Sequence, residues 1–365
     1  VSRTAVAVLS TDHLLHNCKI IREKASSSKI IAMVKANAYG HGLRSVSLKL
    51  DPYVDMLGVA SIDEALSLRK VGVKSPIILM QGVFEPSELL IAATEQFHIV
   101  VHSIRQAEWL EKIALPVTLS VWIKIDTGMG RLGFSPEDFE SVFSKLLNNR
   151  RIASIRILSH FACADEKDHP LNLQQSKVFE DLTIDKKNEK SLCNSAAIFN
   201  FEDCHYDWVR PGLALYGISP ILGTKADELG LKPVMTLQTN LIAVKSMKKG
   251  ASIGYSATYT CFEDMEVGIA TFGYGDGYPW AIPDGTPVLI NGVKCPIIGR
   301  ISMDMMAIDL RPCGSSNIDD SVTLWGEGLP LEEVASHIKM SPYAMLTAIQ
   351  NRVRFLWTQE GSLNA

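Results

Sequence analysis

The sequence predicts an α/β protein with a (β/α)8 barrel over residues 1–231 and a mostly-β domain over residues 232–365. Two observations carry this division. In the first part, short apolar runs alternate with amphipathic stretches, and strands that alternate with helices pair in parallel. After Lys232-Pro233 the amphipathic stretches give way to closely spaced strands and tight turns. The length, 365 residues, exceeds what most single cores hold and fits one large barrel with a smaller domain.

The barrel strands are expected in eight runs, at residues 29–34, 55–60, 76–80, 97–101, 118–125, 152–159, 191–194 and 207–209. The segments between them read as helices. Ser61-Ile62-Asp63-Glu64 opens one with the capping-box pattern, and Ser135-Pro136-Glu137 opens another with proline suited to the first helical position. In the second domain, strands are expected at 234–244, 251–255, 267–271, 286–290, 295–298, 305–310 and 321–325. Asn291-Gly292 marks a hairpin, Asp284-Gly285 after Pro283 a similar turn, and short helices are expected at 331–337 and 342–349.

Hydrophobic residues make up 47% and charged residues 21%, an ordinary globular balance. A formal net charge of -4 gives no electrostatic footprint for nucleic acid, and no Lys/Arg block suggests a membrane surface. No apolar run is long enough to span a bilayer, and residues 1–9 lack a signal-peptide pattern. The seven cysteines are scattered without a Cys-x-x-Cys pair, which reads as reduced thiols in a cytoplasmic protein. No zinc-type His/Cys cluster is visible, so no metal is expected.

The polar residues at the strand ends carry the chemistry. Lys35 follows the first run, in Ile30-Ile31-Ala32-Met33-Val34-Lys35-Ala36-Asn37-Ala38-Tyr39-Gly40-His41-Gly42. A lysine there either snorkels to the surface or is buried, and burial lowers its pKa and makes it a nucleophile of the Schiff-base kind. Lys124 ends the fifth run, with Arg131 just beyond it; His160 ends the sixth, Asn194-Ser195 the seventh and Arg210 the eighth. In a (β/α)8 barrel all of them gather at the C-terminal mouth. Ser195 begins a helix, where its hydroxyl is either a plain N-cap or part of a phosphate site. Gly212 lets backbone amides approach the same phosphate, and the Tyr39 phenol is placed to join them. In the β domain, Tyr255 sits in Gly254-Tyr255-Ser256-Ala257, and Tyr274 in Gly273-Tyr274-Gly275-Asp276-Gly277-Tyr278-Pro279, followed by Gly299-Arg300-Ile301-Ser302-Met303-Asp304. Such tyrosines are either packing residues or acid–base groups.

Together these motifs resemble the alanine racemase family, with a likeness running over residues 29–354. The resemblance implies a pyridoxal phosphate (PLP) enzyme that interconverts L- and D-alanine and supplies D-alanine for peptidoglycan. It implies a homodimer in which the β domain of one subunit caps the barrel of the other. Lys35 then carries the cofactor and is the base for D-alanine, while Tyr255 of the partner subunit is the base for L-alanine. Arg131 contacts the substrate carboxylate, and Met303 offers a backbone contact from the other chain. Tyr39, Ser195, Gly212 and Leu213 match phosphate-binding positions. His160 matches the residue that orients the second base, and Arg210 the partner of the pyridine nitrogen. Lys124 matches a lysine often carbamylated to an anion that holds Arg131, with Tyr274 and Asp304 in support. An arginine facing the pyridine nitrogen keeps its own proton and weakens the electron sink, which suits removal and return of a single proton.

This sequence departs from the family pattern at four places. Asn351 falls where many members carry tyrosine, and the proline usual between Val353 and Arg354 is absent. Trp280 falls at an arginine of the access channel, with Asp165, Arg300 and Ile349, so altered access is expected. Ser191 replaces a histidine found beside Arg210 in some relatives. Three other readings share parts of the pattern: a racemase of broader specificity such as for serine, a non-catalytic PLP-binding barrel, and a barrel-type decarboxylase. The second lacks a β domain with its tyrosine, and the third pairs the pyridine nitrogen with a carboxylate.

Overall fold

The computed structural model describes residues 3–358, which divide into two compact units, one of residues 15–215 with 219–224, the other of residues 3–14, 216–218 and 225–358.

In the first unit the strands Lys29–Met33, Met56–Val59, Ile77–Leu79, His98–Val101, Leu119–Lys124, Ile152–Leu158, Lys190–Asn194 and Trp208–Arg210 close a barrel in chain order. Each pairs in parallel with the next, and the ring closes where Lys29 faces Trp208 and Ile30 faces Val209. Strands with both faces covered need continuous apolar runs rather than alternation, and Ile77, Ile78 and Leu79 are all fully buried. The intervening helices start as the sequence predicts. Ser61 Oγ accepts the Glu64 N–H while Glu64 Oε2 accepts the Ala60 N–H, and Ser135 Oγ accepts the Asp138 N–H ahead of Pro136.

At the N-terminal end of the barrel strands, Glu189 holds Lys29 Nζ at 2.6 Å and Arg156 Nε at 2.5 Å. Lys29 and Arg156 lie over the Trp208 ring, which meets Trp122 edge-on. A charge cluster at this end of a barrel serves stability, because catalytic groups gather at the other end.

The second unit is built on a sheet in the order Met265–Ala270, Met306–Asp309, Val293–Ile298, Pro287–Ile290, Ser321–Trp325, Met235–Met247, Val6–Ser10, Arg354–Thr358. The long strand Met235–Met247 pairs with Ser321–Trp325 along one half and with Met265–Ala270 along the other, so the sheet curls back on itself. Register breaks in that strand, at Leu237/Gln238 and Leu241/Ala243, supply the bend. Asn291 and Gly292 both adopt positive φ, 49° and 80°, in the two-residue turn that joins Ile290 to Val293.

The expected boundary at 231/232 differs from this division at the N-terminus. Residues 3–14 belong to the β unit, because Val6–Ser10 pairs antiparallel with Met235–Met247 and parallel with Arg354–Thr358. Its alternating burial, with Ala7 and Leu9 inside, is that of a half-covered sheet strand.

The Glu189 cluster gives a pH prediction. Burial alone would raise this carboxyl, but the hydrogen bonds from Lys29 and Arg156 outweigh it and hold the pKa at about 2, below the ordinary 4.5. A carboxyl whose folded pKa is depressed stabilises the fold fully above its unfolded value, and that contribution is lost as pH falls through the folded one. Glu189→Gln is expected to lower the melting temperature at pH 7 and to flatten its fall between pH 4.5 and about 2. An unchanged acid limb would show that the cluster carries no such coupling.

Candidate active site at the barrel mouth

Lys35 follows Val34 at the end of the first barrel strand, and the four residues after it, Ala36, Asn37, Ala38 and Tyr39, have φ of 52°, 55°, 53° and 52°. A left-handed turn of non-glycine residues costs about 1 kcal/mol or more per residue and persists where neighbours hold it. Here Glu64 Oε1 accepts the Ala36 N–H at 2.8 Å, Asn37 Oδ1 accepts the Leu43 N–H at 2.8 Å, and His41 Nδ1 donates to the Tyr39 carbonyl at 2.9 Å. Burial lowers His41 to about 4, so its neutral ring carries the proton on Nδ1. The second duty of Glu64 was not read from the sequence. Its signal lay in the capping box, whose carboxylate has one oxygen for its own helix and one to spare.

Arg210, at the end of the last barrel strand, is buried and satisfied by uncharged acceptors. Nη1 donates to Ser191 Oγ at 2.6 Å, and Nη2 to the Ser159 and Leu192 carbonyls at 2.6 and 3.1 Å and to His160 Nδ1 at 3.1 Å. A guanidinium only donates, so His160 Nδ1 is the acceptor and Nε2 carries its proton. Burial, with Arg210 and Lys124 nearby, pushes His160 well below 6.5, which keeps the ring neutral. Burial lowers Arg210 to about 10, and it stays charged at neutral pH. Ser191 thus supports Arg210, its hydroxyl in turn donating to the Trp208 carbonyl at 2.7 Å.

Ser195, Gly212 and Tyr39 come together, and Ser195 is not the helix cap. Asn194, not Ser195, caps the helix Ser195–Asn200, its Oδ1 accepting the Ala197 N–H at 3.1 Å. The buried Ser195 hydroxyl instead accepts the Gly212 N–H at 2.7 Å. A Cβ on Gly212 would overlap the Tyr39 phenol, so glycine lets these two meet. Leu213 opens the next turn, buried.

Lys35, Lys124, Arg131 and Arg210 crowd positive charge into this mouth. The Lys35 pKa is lowered by burial and by Arg131 and Arg210, with Glu64 opposing. Lys124 is lowered to about 8 by burial, then by Arg210 and Arg131. No salt bridge reaches any of the four among the described residues. Arg131 is exposed on a loop shaped by Asp126, whose Oδ1 accepts the N–H groups of Gly128, Met129 and Gly130. A site of this kind is completed by anions, a phosphate and a carboxylate being the chemistry that fits. No cluster of three or more metal-ligating side chains occurs among the described residues.

The β unit holds the remaining expected residues. Tyr255 opens a turn in which Ser256 and Ala257 take positive φ, and it is 69% exposed. Arg300 braces this turn by donating to Ser256 Oγ at 3.1 Å and lies 5.6 Å over the Trp280 ring. Met303, Tyr274 and Trp280 are also exposed, while Asp304 pairs with Arg352 at 2.8 Å. His160, taken from the sequence as the neighbour of the second base, has its Nδ1 committed to Arg210.

Both parts of the chain match known family domains: the alanine racemase N-terminal domain over residues 9–220 and the alanine racemase C-terminal domain over residues 234–357. The chain is 43% identical to an alanine racemase of Vibrio vulnificus, over 98% of this chain and 100% of that one. Among solved structures it resembles the biosynthetic alanine racemase from Pseudomonas aeruginosa, with a TM-score of 0.95 and 38% identity over 98% and 99% of the two chains. It also resembles alanine racemase from Bartonella henselae, solved with covalently bound pyridoxal phosphate, with a TM-score of 0.88 and 26% identity over 97% and 99%. The chain therefore belongs to the alanine racemase family.

Proposed function

We propose that the protein is a PLP-dependent alanine racemase that works as a homodimer in the cytoplasm and supplies D-alanine for peptidoglycan. One observation carries the reading: a lysine of lowered pKa shares the barrel mouth with a buried arginine that no carboxylate among the described residues pairs. Seven cysteines, all free, accord with a reducing compartment. No helix among the described residues is long and apolar enough to cross a membrane.

The residues present fit the cofactor. The unbalanced cations call for an anionic group, and the Ser195, Gly212, Leu213 and Tyr39 cradle brings hydroxyls and backbone amides together without a side chain at Gly212 to block approach. Lys35 would carry the cofactor, with Arg210 at the pyridine nitrogen. The bound cofactor supplies an electron sink that acidifies the substrate Cα–H. Arg210 keeps its proton and would offer the ring nitrogen a hydrogen bond without transferring charge to it. A decarboxylase would favour a carboxylate at that position.

Arg131 binds the substrate carboxylate and so fixes which faces of Cα meet the two bases. In the L-to-D direction the Tyr255 phenolate of the partner subunit takes the Cα proton, and the Lys35 ammonium delivers one to the opposite face, leaving phenol and neutral amine. The reverse direction exchanges their roles. Exposure of Tyr255 and Met303 on a single chain supports their use against a second subunit. Lys35→Ala is expected to lose covalent cofactor and all turnover. Tyr255→Phe is expected to block proton removal from L-alanine while leaving exchange on D-alanine. Equal loss from both enantiomers would sink the assignment of one base to each face.

Lys124 is the natural site for a carbamate. Half of its amine is neutral at about pH 8, far below the ordinary 10.5. The neutral amine adds carbon dioxide and releases a proton, giving an anion beside Arg131. The unmodified lysine disfavours folding while charged, because its folded pKa lies below the unfolded one; stability therefore rises with pH from about 8 to 10.5. With 13C-bicarbonate above pH 8, a carbamate carbonyl resonance is expected that Lys124→Ala lacks. A resonance that survives in the variant would remove Lys124 from this role.

A further inference from the structure

Asp276 is fully buried in the β unit, and a carboxylate keeps its charge in such a place only when it is paired. Arg3 Nη2 lies 2.7 Å from Oδ2, Arg352 Nε lies 2.8 Å from Oδ1, and the Gly273 N–H donates to Oδ2 at 2.9 Å. Arg352 reaches further. Its Nη1 meets Asp304 Oδ1 at 2.8 Å, and its Nη2 donates to the Met303 carbonyl at 3.1 Å. Arg352 thus ties the Gly273–Gly277 turn to the Ser302–Asp304 segment; Arg3 spans the same carboxylates more loosely, its Nη1 3.5 Å from Asp304 Oδ1, and only Arg352 also holds the Met303 carbonyl.

The glycines of that turn make the tie possible. A Cβ at Gly273 would overlap the Ser302 and Met303 carbonyls, and one at Gly275 would run into the Arg352 guanidinium. With those side chains absent, the Tyr274 N–H donates to the Ser302 carbonyl at 3.1 Å and the Gly275 N–H to the Met303 carbonyl at 2.8 Å. The Met303 carbonyl therefore has two donors from its own unit. The Met303 N–H has no acceptor among the described residues, and its side chain is 53% exposed.

We propose that Arg352 is a positioning residue for substrate binding. By bridging Asp276 and Asp304 and holding the Met303 carbonyl, it keeps the Met303 N–H available to the alanine carboxylate. This rests on the reading of Met303 as a substrate contact. A residue that acts through the binding peptide moves KM while leaving the two bases untouched.

The test is alanine racemisation by the full chain loaded with PLP, measured in both directions for wild type, Arg352→Met, Arg352→Lys, Asp304→Asn and Lys248→Met. Arg352→Met is expected to raise KM for both enantiomers about tenfold, the size of one charge-assisted hydrogen bond, with kcat largely kept. Arg352→Lys, which keeps a cation beside Asp276 without the fork, falls between. Lys248→Met removes an exposed ion pair with Asp264 in the same unit and leaves KM unchanged. Should Arg352→Met fail to fold, Arg352→Lys and Asp304→Asn carry the test. KM unmoved in both, or kcat falling at constant KM, overturns the proposal while the functional reading stands. A wild type that does not interconvert alanine overturns that reading, and this proposal with it.

Discussion

The barrel mouth is organised by positive charge that the protein does not neutralise itself. Lys35, Lys124, Arg131 and Arg210 converge there without a salt bridge among the described residues, and burial with mutual repulsion lowers the pKa of both lysines. Such an arrangement costs stability in the isolated chain and is recovered when anions bind. It also lowers the Lys35 pKa, the direction that the proposed Schiff-base role calls for.

The surrounding groups are matched to that demand. Arg210 is held by a hydroxyl, two carbonyls and a neutral imidazole rather than by a carboxylate, so its charge stays available to a ligand. Glu64 is the acidic side chain that raises the Lys35 pKa against the surrounding cations, and its oxygens are taken up by the Ala36 and Ala60 N–H groups. The left-handed turn after Lys35 is thereby fixed by a helix-capping residue, and strain and support come from adjacent barrel repeats. In the β unit the pattern is inverted. There buried Asp276 gathers Arg3 and Arg352, and Tyr255 and Met303 stand exposed.

Much of this was legible in the sequence. All eight barrel strands fall within about two residues of their apolar runs, since a strand covered on both faces leaves an uninterrupted signal. The strand-end residues followed from topology, because consecutive parallel strands must point their ends the same way. Val6–Ser10 was missed as part of the β unit because its partners are Met235–Met247 and Arg354–Thr358, far along the chain. The Asp276–Arg352 pair was hidden for the same reason. Ser191 could be flagged as a departure, but only the structure reveals its hydrogen bonds to Arg210 and Trp208. Asn351 lies exposed in a turn, and nothing in the structure explains its replacing tyrosine.

The account turns on one lysine and one tyrosine serving opposite faces of the same carbon. The most direct measurement is incubation of the PLP-loaded protein with L-alanine in D2O, reading chirality and Cα deuterium in the same sample. The account predicts D-alanine carrying deuterium at Cα, because each base exchanges its proton with solvent. Deuterium uptake with configuration retained would mean that only one face is served, and no exchange with cofactor bound at Lys35 would remove alanine as the substrate.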